Sequence, residues 1–266
     1  MPRISALLIA ALLAAVPIAG CGADDVNPDA LAQAAEATRQ QGGVHMTVTG
    51  TVETQGQSIP LSMDGDADLR KLRMRSTIEM GGGLPEIEQV LVGTVMYMRM
   101  EGLEEALGAE WVKFDLARIG EQMGVDLGQM MQMSQASPAQ QLDYLRTMAD
   151  LEEVGTETID GVQTTHYKGE VDLRRYPDVV PAEDREKARR SIEKLIEMSG
   201  QPTTPTEVWI DDESLVRRQR MTMTQREPQQ MKMEMQIDYT DFGKRVEIEA
   251  PKGAKDVTDL AAQAGD

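Results

Sequence analysis

The stretch Val44-His45-Met46-Thr47-Val48-Thr49-Gly50-Thr51-Val52 alternates apolar and polar residues at every position except Gly50. A period of two puts Val44, Met46, Val48 and Val52 on one side of an extended chain and His45, Thr47, Thr49 and Thr51 on the other. That is the pattern of a strand with one buried face. Upstream, Asn27 as N-cap and Pro28 at the first helical position open a helix through Ala30 to Ala37, stopped by Gly42-Gly43. Downstream, Gln55-Gly56-Gln57 turns the chain into Ile59, Leu61, Met63, Gly65, Ala67 and Leu69, which alternate again. A third run sets Leu72, Met74, Ile78 and Met80 against Arg73, Arg75, Thr77 and Glu79. Gly81-Gly82-Gly83 breaks it, Val90 to Met100 supplies one or two further strands, and Trp111 to Leu116 closes this half.

Residues 117 to 150 lose the alternation. Met123, Leu127, Met130 and Met131 fall at helical spacings, and Pro138 opens a helix carrying Leu142, Leu145 and Met148 on one side. Strand period returns from Val154 to Ile159, turns at Asp160-Gly161 and runs back from Val162 to Tyr167. An Asp-Gly pair between β-branched runs is a strong hairpin signal, because the turn needs positive φ angles. Pro181 to Ser199 reads as a charged helix with Ala188, Ile192, Leu195 and Ile196 as its apolar stripe, ended by Gly200. The last strands are Glu207 to Ile210, Leu215 to Met223, Met231 to Tyr239 and Arg245 to Glu249, and residues 252–266 read as a flexible tail. Sequential antiparallel strands with inserted helices imply an α+β fold, one large curved antiparallel sheet covered on one face.

The N-terminus carries a different message. Arg3, an apolar run from Ile4 to Val16 and small residues before Cys21 have the form of a secretory signal, too short to span a bilayer stably. Ile18-Ala19-Gly20-Cys21 resembles the bacterial lipobox. That resemblance implies cleavage of residues 1–20 and acylation of Cys21, with residues 21–29 as a lipidated tether to the extracytoplasmic face of the cell membrane. Removing residues 1–20 takes away Arg3 and no acid, so the formal charge of −18 becomes −19. Such a chain is repelled by nucleic acid and by anionic lipid, which leaves the acyl tether as the membrane attachment. The single cysteine excludes an intramolecular disulfide and a thiolate metal cluster.

Further fragments carry a family likeness. Val95-Met96-Tyr97-Met98, Gly155-Thr156-Glu157 with Asp160-Gly161 and Thr165-His166-Tyr167, Val208-Trp209-Ile210-Asp211, and Asp238-Tyr239 with Asp241-Phe242-Gly243 join the lipobox as its elements. Over most of residues 30 to 250 the chain resembles actinobacterial lipoproteins of the LppX and LprG type (LppX_LprAFG), relatives of the periplasmic lipoprotein carriers with the LolA-like fold. The resemblance implies a single domain over residues 30–251, an open half-barrel wrapped around helices and enclosing an apolar cavity. It also implies an acylated lipid or glycolipid as ligand and an envelope transporter as partner. The Met-rich stretch Met123 to Met133 and the charged helix from Glu183 fit this pattern less well.

Composition bears on the cavity independently. Aromatic residues make up only 3% of the chain while methionine occurs 19 times, so thioethers stand where rings usually fill a core. Unbranched side chains with three rotatable bonds suit a slot for acyl chains of more than one length; they equally suit a filled core. If a cavity exists, the alternation predicts its lining as Met46, Val48, Leu61, Met63, Met74, Ile78, Val92, Met96, Met98, Val208, Ile210, Met221, Met223, Met233, Met235 and Ile237.

Other sites weigh less. Asp64, Asp66 and Asp68 start like a calcium loop but place Arg75 where the bidentate acid belongs, so a solvated sheet face reads better. Ser191-Ile192-Glu193-Lys194 has the Ser-x-x-Lys spacing of penicillin-recognising enzymes without the Lys-Thr-Gly or Ser-Asp-Asn that would accompany it. His45 and His166 lack acids at local ligand spacing. Arg217, Arg218 and Arg220 suit a solvated edge better than an anionic headgroup at a cavity mouth. No cofactor and no catalytic constellation is implied. Two readings follow: a membrane-tethered lipid holder or shuttle, and an envelope adaptor whose filled core supports a surface for protein partners.

Overall fold

The computed structural model describes residues 28–54, 56–126, 128, 149–225 and 231–263, so Cys21 and most of the expected middle helices lie outside the described residues. Helix α1 (Pro28–Gln41) leads into strands β1 (Gly43–Thr54), β2 (Gln57–Asp68), β3 (Arg73–Met80), β4 (Ile87–Val92) and β5 (Val95–Met100). Helix α2 (Leu103–Leu107), β6 (Val112–Asp115) and α3 (Leu116–Gln122) complete the first half. The second half contains β7 (Ala149–Ile159), β8 (Val162–Asp172), a 3₁₀ turn at Leu173–Arg175, α4 (Tyr176–Val179) and α5 (Arg185–Ser199). It ends with β9 (Thr203–Asp211), β10 (Val216–Gln225), β11 (Met231–Thr240), β12 (Lys255–Asp256) and α6 (Thr258–Gln263).

The strands form one sheet in the order β12-β6-β5-β4-β3-β2-β1-β11-β10-β9-β8-β7. Every neighbouring pair is antiparallel except β12 with β6. The first long strand therefore sits in the middle, between β2 and β11, and the sheet ends at β12 and β7 without closing. Two glycines on its inner face let adjacent backbones bend together. A Cβ on Gly50 would lie 2.1 Å from the Glu234 carbonyl oxygen, and one on Gly65 would lie 2.3 Å from that of Arg75.

The expected Asp160-Gly161 hairpin is present, with φ of 49° and 82° at its two corners. Helix α5 closes on Gly200, whose φ of 72° lets its N–H reach the Ile196 carbonyl at 2.7 Å. Pro181 to Asp184 form a turn before α5 rather than its first residues. The Leu173–Arg175 turn and α4, which the alternation does not announce, pack Tyr176 with Val171, Val180, Ala188 and Ile192 into a satellite cluster under α5.

Two expectations about the C-terminus are corrected. Arg245 to Glu249 alternate but are not a strand, because both sides of β1 are already taken by β2 and β11. That segment is instead tied to β2 and β3: Lys244 pairs with Asp66 at 2.6 Å, Arg73 Nη1 donates to the Ile248 carbonyl at 2.7 Å, and Ile248 is buried. Residues 252–266 are not uniformly a loose tail. Lys255 and Asp256 add a short parallel strand to β6, Thr258 is buried with its hydroxyl accepting from Asp115 N–H at 3.1 Å, and α6 packs against α3. The C-terminal segment thus covers the edge that β6 would leave exposed.

Candidate functional site

The registers assign the paired strand residues to faces. Along one row, Tyr239 stands opposite Met46, Met46 opposite Gly65, Gly65 opposite Ser76, Ser76 opposite Gln89, and Gln89 opposite Met98. The next row runs from Tyr167 through Val208, Gln219, Ile237, Val48, Met63 and Ile78 to Ile87. Paired residues of an antiparallel ladder share a face, so these rows tile one wall. All twelve strand methionines lie on it: Met46, Met63, Met74, Met80, Met96, Met98, Met100, Met221, Met223, Met231, Met233 and Met235. They are packed into, or against, one continuous apolar cluster with Val48, Leu61, Ile78, Val208, Ile210 and Ile237.

Of the residues expected to line a cavity, the structure brings all but one to this wall. Val92 faces the other way, opposite Arg73 and Val95, and Leu91 occupies the wall between Met74 and Met96. In the run Val90-Leu91-Val92, Val90 is also buried on the outer face, so both faces are apolar and the alternation is lost. The wall is closed to water here: Met96 is 0% exposed and Met46, Met233 and Met235 are each 2% exposed. Among the described residues, helices reach it from two flanks. Thr38 of α1 accepts from the Val216 N–H at 2.8 Å, and α3 sets Ile119 against β5 and β6.

Polar residues interrupt the wall, among them Ser76, Gln89, Thr206, Gln219 and Tyr239. Gln89 Nε2 donates to Ser76 Oγ at 2.8 Å and lies 3.3 Å from the Met63 sulfur, so that amide nitrogen is partnered. Gln219 and Tyr239 are buried, and among the described residues neither Gln219 Oε1 nor the Tyr239 hydroxyl has a hydrogen-bond partner. Burial, with the Asp238 charge beside it, pushes the Tyr239 phenol far up, and it stays neutral. Within Arg217-Arg218-Gln219-Arg220 the glutamine reads as one more solvated residue. Its signal was the period of two that continues into Met221 and Met223.

The outer face is built on charge pairs. His45 sits between Asp66 and Asp64, each at 3.0 Å, and His166 between Glu157 at 3.1 Å and Glu207 at 2.9 Å; the acids come from neighbouring strands. Trp209 is stacked on His166 with ring centroids 4.1 Å apart and donates its indole N–H to Glu157 at 3.1 Å. Burial alone would raise the Asp66 pKa, but hydrogen bonds from Lys244 and His45 outweigh it and hold the carboxyl below its usual range. Asp68 caps the β2–β3 turn by accepting from the Arg70 and Lys71 amides. Among the described residues no cluster of three His, Cys, Asp or Glu side chains has a metal-holding arrangement.

Arg217 pairs with Asp211, Arg218 with Asp238, and Arg220 bonds Gln236 at 3.0 Å while lying over the Trp209 ring. These arginines are therefore spent within the sheet. Ser191 is 3% exposed and accepts from the Asp126 N–H at 3.1 Å, a structural tie to α5.

Known proteins resemble this chain. A family model described as LppX_LprAFG lipoprotein matches residues 27–248. The crystal structure of the lipoprotein LppX of Mycobacterium tuberculosis is similar over 84% of this chain and 97% of its own, with a TM-score of 0.50 and 16% identity. LprF of Mycobacterium bovis aligns over 87% of this chain and all of its own, with a TM-score of 0.44 and 16% identity. An uncharacterised 31.2 kDa protein of Streptomyces griseus is 30% identical over 157 residues, 58% of this chain; the match spans about half of that relative's length.

Proposed function

The chain belongs to the LppX_LprAFG lipoprotein family, and from that premise we propose that it is anchored by acylation of Cys21 and holds or shuttles an acylated lipid or glycolipid in the cell envelope. The observation that carries this reading is the placement of every strand methionine on one wall of an open, curved sheet. A filled core would place its apolar groups on the same face, but branched or aromatic side chains would serve it as well, and it has no particular need of so many thioethers. A surface meant to accept flexible chains does, because unbranched side chains re-orient around a guest at little cost. Lifting a sixteen-carbon chain out of a bilayer costs about 12 kcal/mol, at about 0.8 kcal/mol per CH₂. Only a dry apolar surface of comparable extent makes that transfer near neutral, and the wall supplies such a surface once the groups packed over it yield.

The test uses a form secreted with an ordinary cleavable signal in place of residues 1–20 and carrying Cys21→Ala. It should leave the membrane fraction, and mass spectrometry of its organic extract should return lipid in near-stoichiometric amount. Retention in the membrane would contradict the anchor. Repeatedly empty extracts would contradict the ligand and favour an adaptor with a filled core.

A further inference from the structure

The apolar wall has one place where it asks for a hydrogen bond. Gln219 is 2% exposed and Tyr239 3% exposed, both on the inner face, and each has an oxygen sealed from solvent with no hydrogen-bond partner among the described residues. Gln219 stands opposite Val208 on one side and Ile237 on the other; Tyr239 follows Ile237 by two residues and stands opposite Met46. The two are thus diagonal neighbours on adjacent strands, with backbones on the order of 7 Å apart. Folded proteins rarely leave buried polar atoms unpaired, and each exception calls for a reason.

We propose, resting on the lipid-holding reading above, that Gln219 and Tyr239 form a polar seat in the wall for the uncharged linkage of a partly acylated polyol. The amide oxygen only accepts, so its guest must bring a donor, a free hydroxyl. The neutral phenol donates, and an ester carbonyl is the acceptor that accompanies such a hydroxyl in an acylglycerol. The surroundings define the rest of the guest. Among the described strand residues from β4 to β9, no Asp, Glu, Lys or Arg lies on the inner face, so the sheet itself offers a phosphate or carboxylate no counter-charge. Met46, Ile237 and Val208 beside the seat suit aliphatic chain on either side of it.

The test measures displacement of the methyl ester of cis-parinaric acid, an uncharged probe, from the secreted Cys21→Ala chain by monopalmitoylglycerol and by methyl palmitate, which has the ester but no hydroxyl. The native seat should favour monopalmitoylglycerol about tenfold, the factor of one well-made hydrogen bond. Gln219→Leu and Tyr239→Phe should each reduce that preference to about twofold or less, without lowering the melting temperature of the free protein. If both esters displace the probe and the preference is the same in the variants, the seat is refuted and lipid holding stands. If neither the probe nor either ester binds, lipid holding itself fails. A fall in melting temperature in both variants would show that the two groups are partnered within the fold and would also refute the seat.

Discussion

Val48 and Thr49 are neighbours on β1, yet Val48 is sealed between Ile237 and Met63 while Thr49 is exposed between Gln236 and Ser62. The difference repeats across the sheet. Inward, the strands present thioethers and aliphatic groups with few fixed partners; outward, they present histidines, arginines and acids, many of them paired across strands. A face built of specific pairs resists change, and a face built of flexible apolar groups tolerates it. That contrast explains how one sheet can be both a rigid frame and an adaptable wall.

The contrast breaks first where charge is forced inward. Val48→Asp should unfold the protein or cost about 4 kcal/mol or more, whereas Thr49→Asp should stay within about 0.5 kcal/mol in urea denaturation. On the outer face the largest loss should come from Trp209→Ala, about 3–5 kcal/mol, because the indole is 2% exposed and both His166 and Glu157 lose a partner with it. A paired replacement on the wall, Met221→Leu with Met235→Leu, conserves volume at facing positions and should cost less than about 1.5 kcal/mol by thermal unfolding. Its effect should appear in binding, as a narrower range of acyl-chain lengths retained in lipid extracts.

The smallest effects belong to exposed pairs. The Asp66 pKa is depressed in the folded state, so its stabilisation is present above the unfolded value near pH 3.9 and is lost as pH falls through the lower folded value. Asp66→Asn should therefore cost under about 1 kcal/mol at neutral pH, since the carboxylate is 39% exposed, and should flatten the acid limb of a stability curve below about pH 4. A mutant that kept the full acid slope would show that other carboxylates carry it.

Much of this arrangement was legible in the residues. Alternation fixed the strands and the inward side of nearly every one, since a one-residue slip would have turned Met46, Val48 and Val52 to water. It failed at Val90-Leu91-Val92, where both faces are buried and the period vanishes. It over-read Arg245 to Glu249, whose alternation reflects packing of Ile248 and not a place in the sheet. The C-terminal strand was invisible because Lys255 and Asp256 join β6 through backbone bonds that any residues could make. Gln219 and Tyr239 were hidden for another reason: a polar residue on an apolar face shows as missing a partner only when its neighbours in space are known.

The central claim is that acyl chains lie against the methionine wall. A fatty-acyl probe with a diazirine near the end of its chain, photolysed in the secreted Cys21→Ala protein and mapped by peptide mass spectrometry, tests it directly. Crosslinks should fall on inner-face residues of β1, β10 and β11, such as Met46, Met221 and Met235. Crosslinks confined to outer-face positions such as Thr49 or Arg220, or none at saturating probe, would contradict it.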